Sequence, residues 1–375
     1  MKIIIATDSF KGTISASEAT EIIADALSEK LPTSKIIKMP IADGGEGSTD
    51  CFVDALGGGY VVTTVKNCFF EDVQVKIGIV DAGETAIVEM AQAAGLHFAE
   101  GRKNPLLTTT YGVGQMISVA VGLGVKRILL CLGGSATNDL GCGAAAALGV
   151  RFLDASGEET LPLGGTLDEV ESIDTSCVPD NLREVEFICL CDVKSTLTGE
   201  SGAARMFAPQ KGASPKAVEL LEANAVHMQD IISRDLGIDL STLEGGGAAG
   251  GFGAGAVAFL GATIRGGIEE ILSRIGFENA LEDADAVITG EGRADEQSSK
   301  GKAVNGVITV AKRHEVPVVV VAGSAGNTDA LGADAVFSTV TDFCTFEDVR
   351  DDAKDNLRRT ARSIATTLAI GTNKV

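Results

Sequence analysis

Along this chain, short apolar runs alternate with polar, glycine-rich turns and helical stripes. "IIIATDS" (3–9), "ILLCLGGSATND" (128–139), "AVITGEGRAD" (286–295) and "VVVVAGSAGN" (318–327) begin with Val, Ile or Leu and end in Gly, Asp or Ser. "FICLCDVKS" (187–195) follows the same plan. Continuous runs of this kind predict strands buried on both faces of a parallel sheet. The polar turns then fall at the carboxyl ends of the strands, where open α/β sheets bind ligands. Ser15 and Glu18 predict a capping box ahead of an apolar stripe at Ala19, Ile22, Ile23, Ala26 and Leu27, which Pro32 closes. A second stripe runs through Ala303, Val304, Val307, Ile308 and Ala311, and a long helix is predicted over 346–370.

The middle of the chain has another rhythm. Residues 60–92 alternate apolar and polar positions between short turns, which predicts antiparallel or mixed strands. "GVRFLDASGEE" (149–159) reads as a further hairpin arm. The pattern as a whole predicts two α/β domains. One is doubly wound, of Rossmann or flavodoxin type, and discontinuous, built from 1–58, 93–135 and 276–375. The other is mixed-sheet, built from 59–92 and 136–275.

Composition narrows the function classes. A chain of 375 residues that is 45 % hydrophobic can bury a substantial core. Its formal charge of −21 argues against nucleic acid and anionic lipid as partners, so a small anionic substrate needs a local cationic pocket. The absence of Trp, with only 2 Tyr, weakens any reading built on stacking of bases or sugars. Eight Cys without a C-x-x-C pair, and only 3 His, fit buried free thiols in a reducing compartment better than a zinc site. The apolar run at the N-terminus is too short for a signal peptide, and no membrane-length apolar run follows. The protein is therefore expected to be soluble and cytoplasmic, and its composition leaves a homo-oligomer open.

The candidate chemistry lies in the post-strand turns. "DSFKGTISASE" (8–18) brings Asp8, Ser9 and Lys11 to the end of the first strand, where backbone N–H groups at the helix start favour an anion. In "GGSATND" (133–139), Gly133 and Gly134 permit close backbone approach. The hydroxyls of this turn can donate to phosphate oxygens, Ser135 and Asn138 are candidate substrate or phosphate ligands, and Asp139 can hold Mg²⁺ or orient a hydroxyl. An ordinary turn and helix cap would use the same residue types. "TGEGRAD" (289–295) repeats the design with Glu291, Arg293 and Asp295, and "ADGGEGSTD" (42–50) offers Asp43, Gly44, Gly45 and Glu46.

"EGGGAAGGFGAG" (244–255) contains G-x-G-x-x-G at Gly245, Gly247 and Gly250, but no apolar strand precedes it as a dinucleotide fingerprint requires. It reads as a phosphate-covering loop, a hinge or a plain linker. No Walker motif exists, because Gly301 and Lys302 would need Gly where Glu296 stands. G-x-S-x-G is absent and the three His lie outside these turns, which disfavours a Ser–His–Asp hydrolase. Many carboxylates, a few cations (Lys11, Lys211, Arg293, Lys302) and glycine-rich turns are the set that phosphoryl transfer needs.

The successive blocks "DSFKGTISA", "ADGGEGS", "GGSATND", "CDVKSTLTGESGAARMFAPQKGA", "GGGAAGGFGAG", "ITGEGRADEQSSKGKAV" and "VVVVAGSAG" resemble, in order, the signature blocks of the bacterial type-1 glycerate kinases. The resemblance covers nearly the whole chain. It implies two dissimilar α/β domains around an active-site cleft, and phosphorylation of D-glycerate by ATP with Mg²⁺ to give 2-phosphoglycerate. The chain departs from the family pattern at Thr7, where Pro is usual, and at Leu140, where Gly is usual. On this reading Lys11, Lys211 and Arg293 receive the anions, with Ser9 and the backbone at Gly133 and Gly134. Asp192 is the first choice for general base, with Asp43, Asp139 and Asp295 as rivals, and Glu46, Glu291 and Asp295 are the candidate Mg²⁺ ligands. The alternatives are a glycerate 3-kinase or a kinase of a related hydroxy or sugar acid. More distant are a dinucleotide-dependent oxidoreductase and a non-catalytic metabolite sensor.

Overall fold

The computed structural model describes residues 1–294, 303–340 and 345–372. Its strands are β1 (Lys2–Thr7), β2 (Lys35–Lys38), β3 (Gly59–Lys66), β4 (Asp72–Val80), β5 (Thr85–Glu89), β6 (Arg127–Cys131), β7 (Arg151–Leu153), β8 (Glu159–Thr160), β9 (Ser172–Asp174), β10 (Glu186–Leu190), β11 (Thr263–Arg265), β12 (Ala286–Ala294), β13 (Val318–Ala325) and β14 (Ala335–Ser338). The chain divides into two dissimilar α/β units, one of residues 1–43, 50–56 and 268–375, the other of 44–49 and 57–267.

The first unit holds a five-stranded sheet ordered β14-β13-β12-β1-β2, parallel throughout. In chain order these strands stand 2-1-3-4-5, the flavodoxin-type doubly wound order, which reverses between β1 and β12. Ile3, Ile4 and Ile5 are fully buried, as a continuous run in a central parallel strand should be. The helix Ala16–Lys30 starts at Ser15, whose side chain accepts the Glu18 N–H. Only this half of the predicted capping box forms, and the Glu18 carboxylate pairs instead with Lys354 at 2.6 Å. The helix's buried stripe meets Leu357, Ala361, Ile364 and Ala365 of the long helix Phe346–Thr372 in one core.

The second unit is built on a six-stranded mixed sheet, β11-β10-β6-β5-β4-β3. β3 and β4, and β4 and β5, pair antiparallel, while β5, β6, β10 and β11 run parallel. A small antiparallel sheet, β8-β7-β9, stands beside a second core of Phe152, Met228 and Ile232.

Three sequence expectations change. Residues 93–135 belong to this mixed unit, because β6 pairs with β5 and β10. A strand buried on both faces shows the same apolar run whichever sheet it joins. "TGEGRAD" is not a turn after a strand: β12 continues to Ala294, paired with β13 as far as Ala325. A Cβ on Gly323 would lie 2.4 Å from the Gly292 carbonyl oxygen, so glycine lets this polar stretch of the pair stay close. The glycine-rich 244–255 stretch is not an exposed loop or linker but a buried turn that leads into a helix. The helix Ala248–Leu260 begins within it, and most of its residues are buried. Gly250 takes φ 70°, and a Cβ there would sit 2.0 Å from the Thr137 carbonyl oxygen. These glycines serve close packing.

Candidate functional site

In the first unit, the reversal point of the sheet carries a charged group. The Asp8 N–H, just past β1, donates to the Gly290 carbonyl of β12 at 2.9 Å. The Asp8 carboxyl is buried and accepts the Ser9 N–H at 2.6 Å. Burial, then the Asp43 charge, pushes it up to about 7, against the Ser9 N–H and the Lys11 ammonium. Lys11 Nζ lies 3.3 Å from Asp43 Oδ2. Partial desolvation opposes the Lys11 charge, but Asp43, Asp8 and Glu291 outweigh it and raise its pKa. Glu291 is buried, and Arg293, two residues on, is exposed.

In the second unit, the carboxyl ends of β5, β6, β10 and β11 gather the other candidates. The Gly133 N–H donates to the Gly44 carbonyl at 3.1 Å, and a Cβ on Gly133 would stand 2.4 Å from Gly45 Cα. Glu89 ends β5 and is buried, accepting the N–H groups of Gly47 at 3.1 Å and Thr49 at 3.2 Å at the start of the helix Ser48–Leu56. Glu46, in the same turn, is exposed. The Gly134 carbonyl accepts the Leu96 N–H at 2.8 Å, and the Ala136 N–H reaches the Ala94 carbonyl at 2.8 Å, so the turn after β6 is held on both sides. Asp192, just past β10, accepts the Gly267 N–H on Oδ1 at 2.7 Å.

Lys211 is buried, and its Nζ donates to Ser135 Oγ at 2.8 Å and to the Thr137 carbonyl at 2.7 Å. Burial lowers it to about 7, opposed by the Asp139 charge. Asp139 itself is fully enclosed. Its carboxylate accepts the Thr110 N–H at 2.7 Å, the Thr110 hydroxyl at 2.8 Å, and the N–H groups of Gly141 and Gly143 at 3.2 and 3.3 Å. Burial pushes its carboxyl up, and those donors pull it back.

Over residues 3–369 the chain matches the family described as the glycerate kinase family. The chain belongs to that family. It is 42 % identical to the glycerate kinase of Bacillus subtilis (strain 168), over 99 % of this chain and 98 % of that one. It is 41 % identical to the glycerate 2-kinase of Escherichia coli (strain K12), over 99 % of each. A solved chain from Salmonella typhimurium LT2, named for glycerate kinase 2, superposes with a TM-score of 0.89 at 41 % identity, covering 100 % of this chain and 99 % of that one.

As a member of the glycerate kinase family, the chain is a kinase, and its candidate residues sort by unit. Ser9, Lys11, Asp43, Glu291 and Arg293 lie in the first; Gly44, Gly45, Glu46, Gly133, Gly134, Ser135, Asn138, Asp139, Asp192 and Lys211 lie in the second. Asp295 and Lys302 fall outside the described residues. Asp139 is corrected from ligand contact to scaffold, because its oxygens are taken by backbone and hydroxyl donors. The sequence already brought Asp8 to the end of the first strand but gave no role to Glu89, whose signal was an acid ending the apolar strand "TAIVE".

Among the described residues no three acidic, His or Cys side chains form a ready metal cage. Mg²⁺ commonly takes one or two carboxylates and completes its shell with phosphate oxygens and water. Asp8, Asp43 and Glu291 around Lys11 fit that smaller demand.

Proposed function

We propose that the protein transfers the γ-phosphoryl group of ATP to D-glycerate, at the 2-hydroxyl, giving 2-phosphoglycerate. The observation that carries the reading is the group at the β1–β12 reversal point, in a chain of the glycerate kinase family. A carboxyl held near neutrality, Asp8, stands there with the Lys11 ammonium and the carboxylates of Asp43 and Glu291. The name of the Escherichia coli relative supports the 2-hydroxyl.

Lys11 and Arg293 supply positive charge to the transferring phosphoryl oxygens, where such charge is worth most. Asp192 takes the proton of the attacking hydroxyl, and its bond to the Gly267 N–H helps to fix the carboxylate's direction. One or two of Asp8, Asp43 and Glu291 would hold Mg²⁺, with Glu46 and Asp295 as the other candidate carboxylates. When bound there, Mg²⁺ would supply positive charge to the phosphate oxygens. Ser9 in the first unit, and the backbone at Gly44, Gly45, Gly133 and Gly134 in the second, are the candidates for contact with phosphate oxygens. The free cysteines among the described residues, mostly buried, support a reducing, cytoplasmic setting. No described helix is long and apolar enough to cross a membrane.

Phosphorus NMR of the product from D-glycerate, ATP and Mg²⁺ tests activity and regiochemistry together. A 2-phosphoglycerate signal is expected. Absence of ADP formation overturns the reading, and a 3-phosphoglycerate signal overturns the assignment of the hydroxyl.

A second reading concerns the base alone. Asp8, at about 7, has the pKa that suits a general base near neutral pH better than an ordinary carboxylate does.

A further inference from the structure

Thr137, Asn138 and Ser195 are among the residues of the second unit that bury polar side-chain atoms without a hydrogen-bond partner among the described residues. Thr137 and Asn138 are fully buried and Ser195 is 8 % exposed. Thr137 Oγ1, both polar atoms of the Asn138 carboxamide, and Ser195 Oγ make no hydrogen bond among the described residues. Buried hydroxyls and amides normally find partners, because leaving them without any is costly. Four such atoms in one neighbourhood therefore point to something that the protein is built to receive.

They do share a neighbourhood. Thr137 and Asn138 follow β6, and Ser195 follows β10, the strand paired beside it. Both segments meet the glycine turn that opens the helix Ala248–Leu260. A Cβ on Gly247 would lie 2.7 Å from Ser195 Oγ, and one on Gly250 would lie 2.7 Å from Asn138 Cα. The Gly247 N–H donates to the Ser195 carbonyl at 3.0 Å, and the Leu140 N–H donates to the Gly250 carbonyl at 3.2 Å. Lys211 closes the far side of the turn after β6 through Ser135 and the Thr137 carbonyl.

We propose that Thr137, Asn138 and Ser195 form the subsite that reads the hydroxyl and carboxylate groups of a small hydroxylated carboxylic acid. The carboxamide presents a donor and an acceptor side by side, and each hydroxyl can serve either way. A hydroxy acid matches that set, since its carboxylate only accepts and its hydroxyls do both. A nucleobase would call for a flat apolar face, which these four atoms do not supply. A site built to bond a substrate hydroxyl rejects an analogue lacking it, because its own polar groups are then left unpaired. The inference rests on the proposed function in naming this acid the phosphoryl acceptor, and it adds Thr137 and Ser195 as specificity-determining residues.

The test is calorimetric titration of the full chain with D-glycerate and, separately, with D-lactate, which lacks the 3-hydroxyl. Wild type, Ser195→Ala and Asn138→Ala are compared, with KM for ATP and thermal melts measured alongside. Each hydrogen bond to an ionised group is commonly worth about tenfold or more in affinity. Ser195→Ala should weaken glycerate binding by roughly tenfold and Asn138→Ala by roughly tenfold to a hundredfold. KM for ATP should stay within about twofold, and the preference for glycerate over lactate should shrink. Unchanged glycerate affinity with a lowered melting temperature would reduce the cluster to bound water and overturn the subsite. Weakened ATP with unchanged glycerate would assign it to the nucleotide and overturn it equally. If wild type ignores glycerate but binds another hydroxy acid, with the same loss in Ser195→Ala, the proposed function fails and the subsite stands. If wild type binds no hydroxy acid from a panel, both fail.

Discussion

Lys211 Nζ lies 2.8 Å from Ser135 Oγ, inside the protein. Burial, the larger influence, brings this ammonium down to about 7, while the Asp139 charge opposes the fall. In the unfolded chain lysine titrates near about 10.4. Between those values the folded state holds fewer protons than the unfolded one, so this group makes stability rise with pH across that window. Below it, the buried charge weighs fully against folding. Lys211→Met removes the titration. Melting temperatures of both proteins from about pH 6 to about pH 9 should show the variant's relative advantage largest at low pH and shrinking upward. A constant gap would mean that Lys211 titrates ordinarily.

Asp8 carries the opposite sign. Its carboxyl sits at about 7 in the folded protein, raised first by burial and then by Asp43, against about 3.9 unfolded. The folded state binds the extra proton between those values. The group's contribution is complete below the unfolded value and is lost as pH rises through about 7. Asp8→Asn holds the site neutral, so the variant should gain stability relative to wild type as pH is raised from about 4 to about 8. Chemical denaturation at several pH values measures this, and a difference that stays flat would show Asp8 to be an ordinary acid.

The two candidate bases separate kinetically. With Asp192 as base, Asp192→Asn should lower kcat by roughly 10² or more and leave KM for ATP nearly unchanged. The acid limb of the pH–rate profile should survive in Asp8→Asn. Should Asp192→Asn turn over like wild type while Asp8→Asn loses that limb, the role passes to Asp8.

Glu89 joins the carboxyl end of β5 to the turn that holds Gly45 and Glu46 by accepting the N–H groups of Gly47 and Thr49. Glu89→Gln keeps the shape but removes the charge facing a helix start and one of the acceptor oxygens. A loss of about 1–2 kcal/mol is expected from urea titration, with a raised KM for the substrate that the turn serves. An unchanged unfolding midpoint would show that the turn holds without the carboxylate.

Gly255 and Gly122 form a paired test of packing. A Cβ on Gly255 would stand 1.8 Å from the Leu140 carbonyl oxygen, whereas one on Gly122 meets nothing within 4 Å. Gly255→Ala should cost about 1–3 kcal/mol or prevent folding, and Gly122→Ala should be neutral or stabilising by up to about 1 kcal/mol. Equal melting temperatures for the two variants would contradict the close approach of the helix Ala248–Leu260 to the 137–141 segment.

Local pattern was enough for much of this molecule. The apolar runs of β1, β10 and β13, the Ser15 cap and the long helix Phe346–Thr372 could be read directly, because burial on both faces, a helix cap and a 3.6-residue period are properties of neighbouring residues. The ordered signature blocks likewise pointed to the family. The sheet that β6 joins could not be read, since a doubly buried strand carries no mark of its partner. Nor could the reach of β12 through Glu291 and Arg293, which depends on glycine facing it across the pair. Side-chain roles were hidden for the same reason. Asp139 looked like a ligand until Thr110, distant in sequence, took its oxygens, and Thr137, Asn138 and Ser195 stand out only because no described residue bonds their buried side-chain polar atoms. Periodicity along a chain encodes which residues are buried; which partner each buried group meets is set by contacts between segments far apart in sequence.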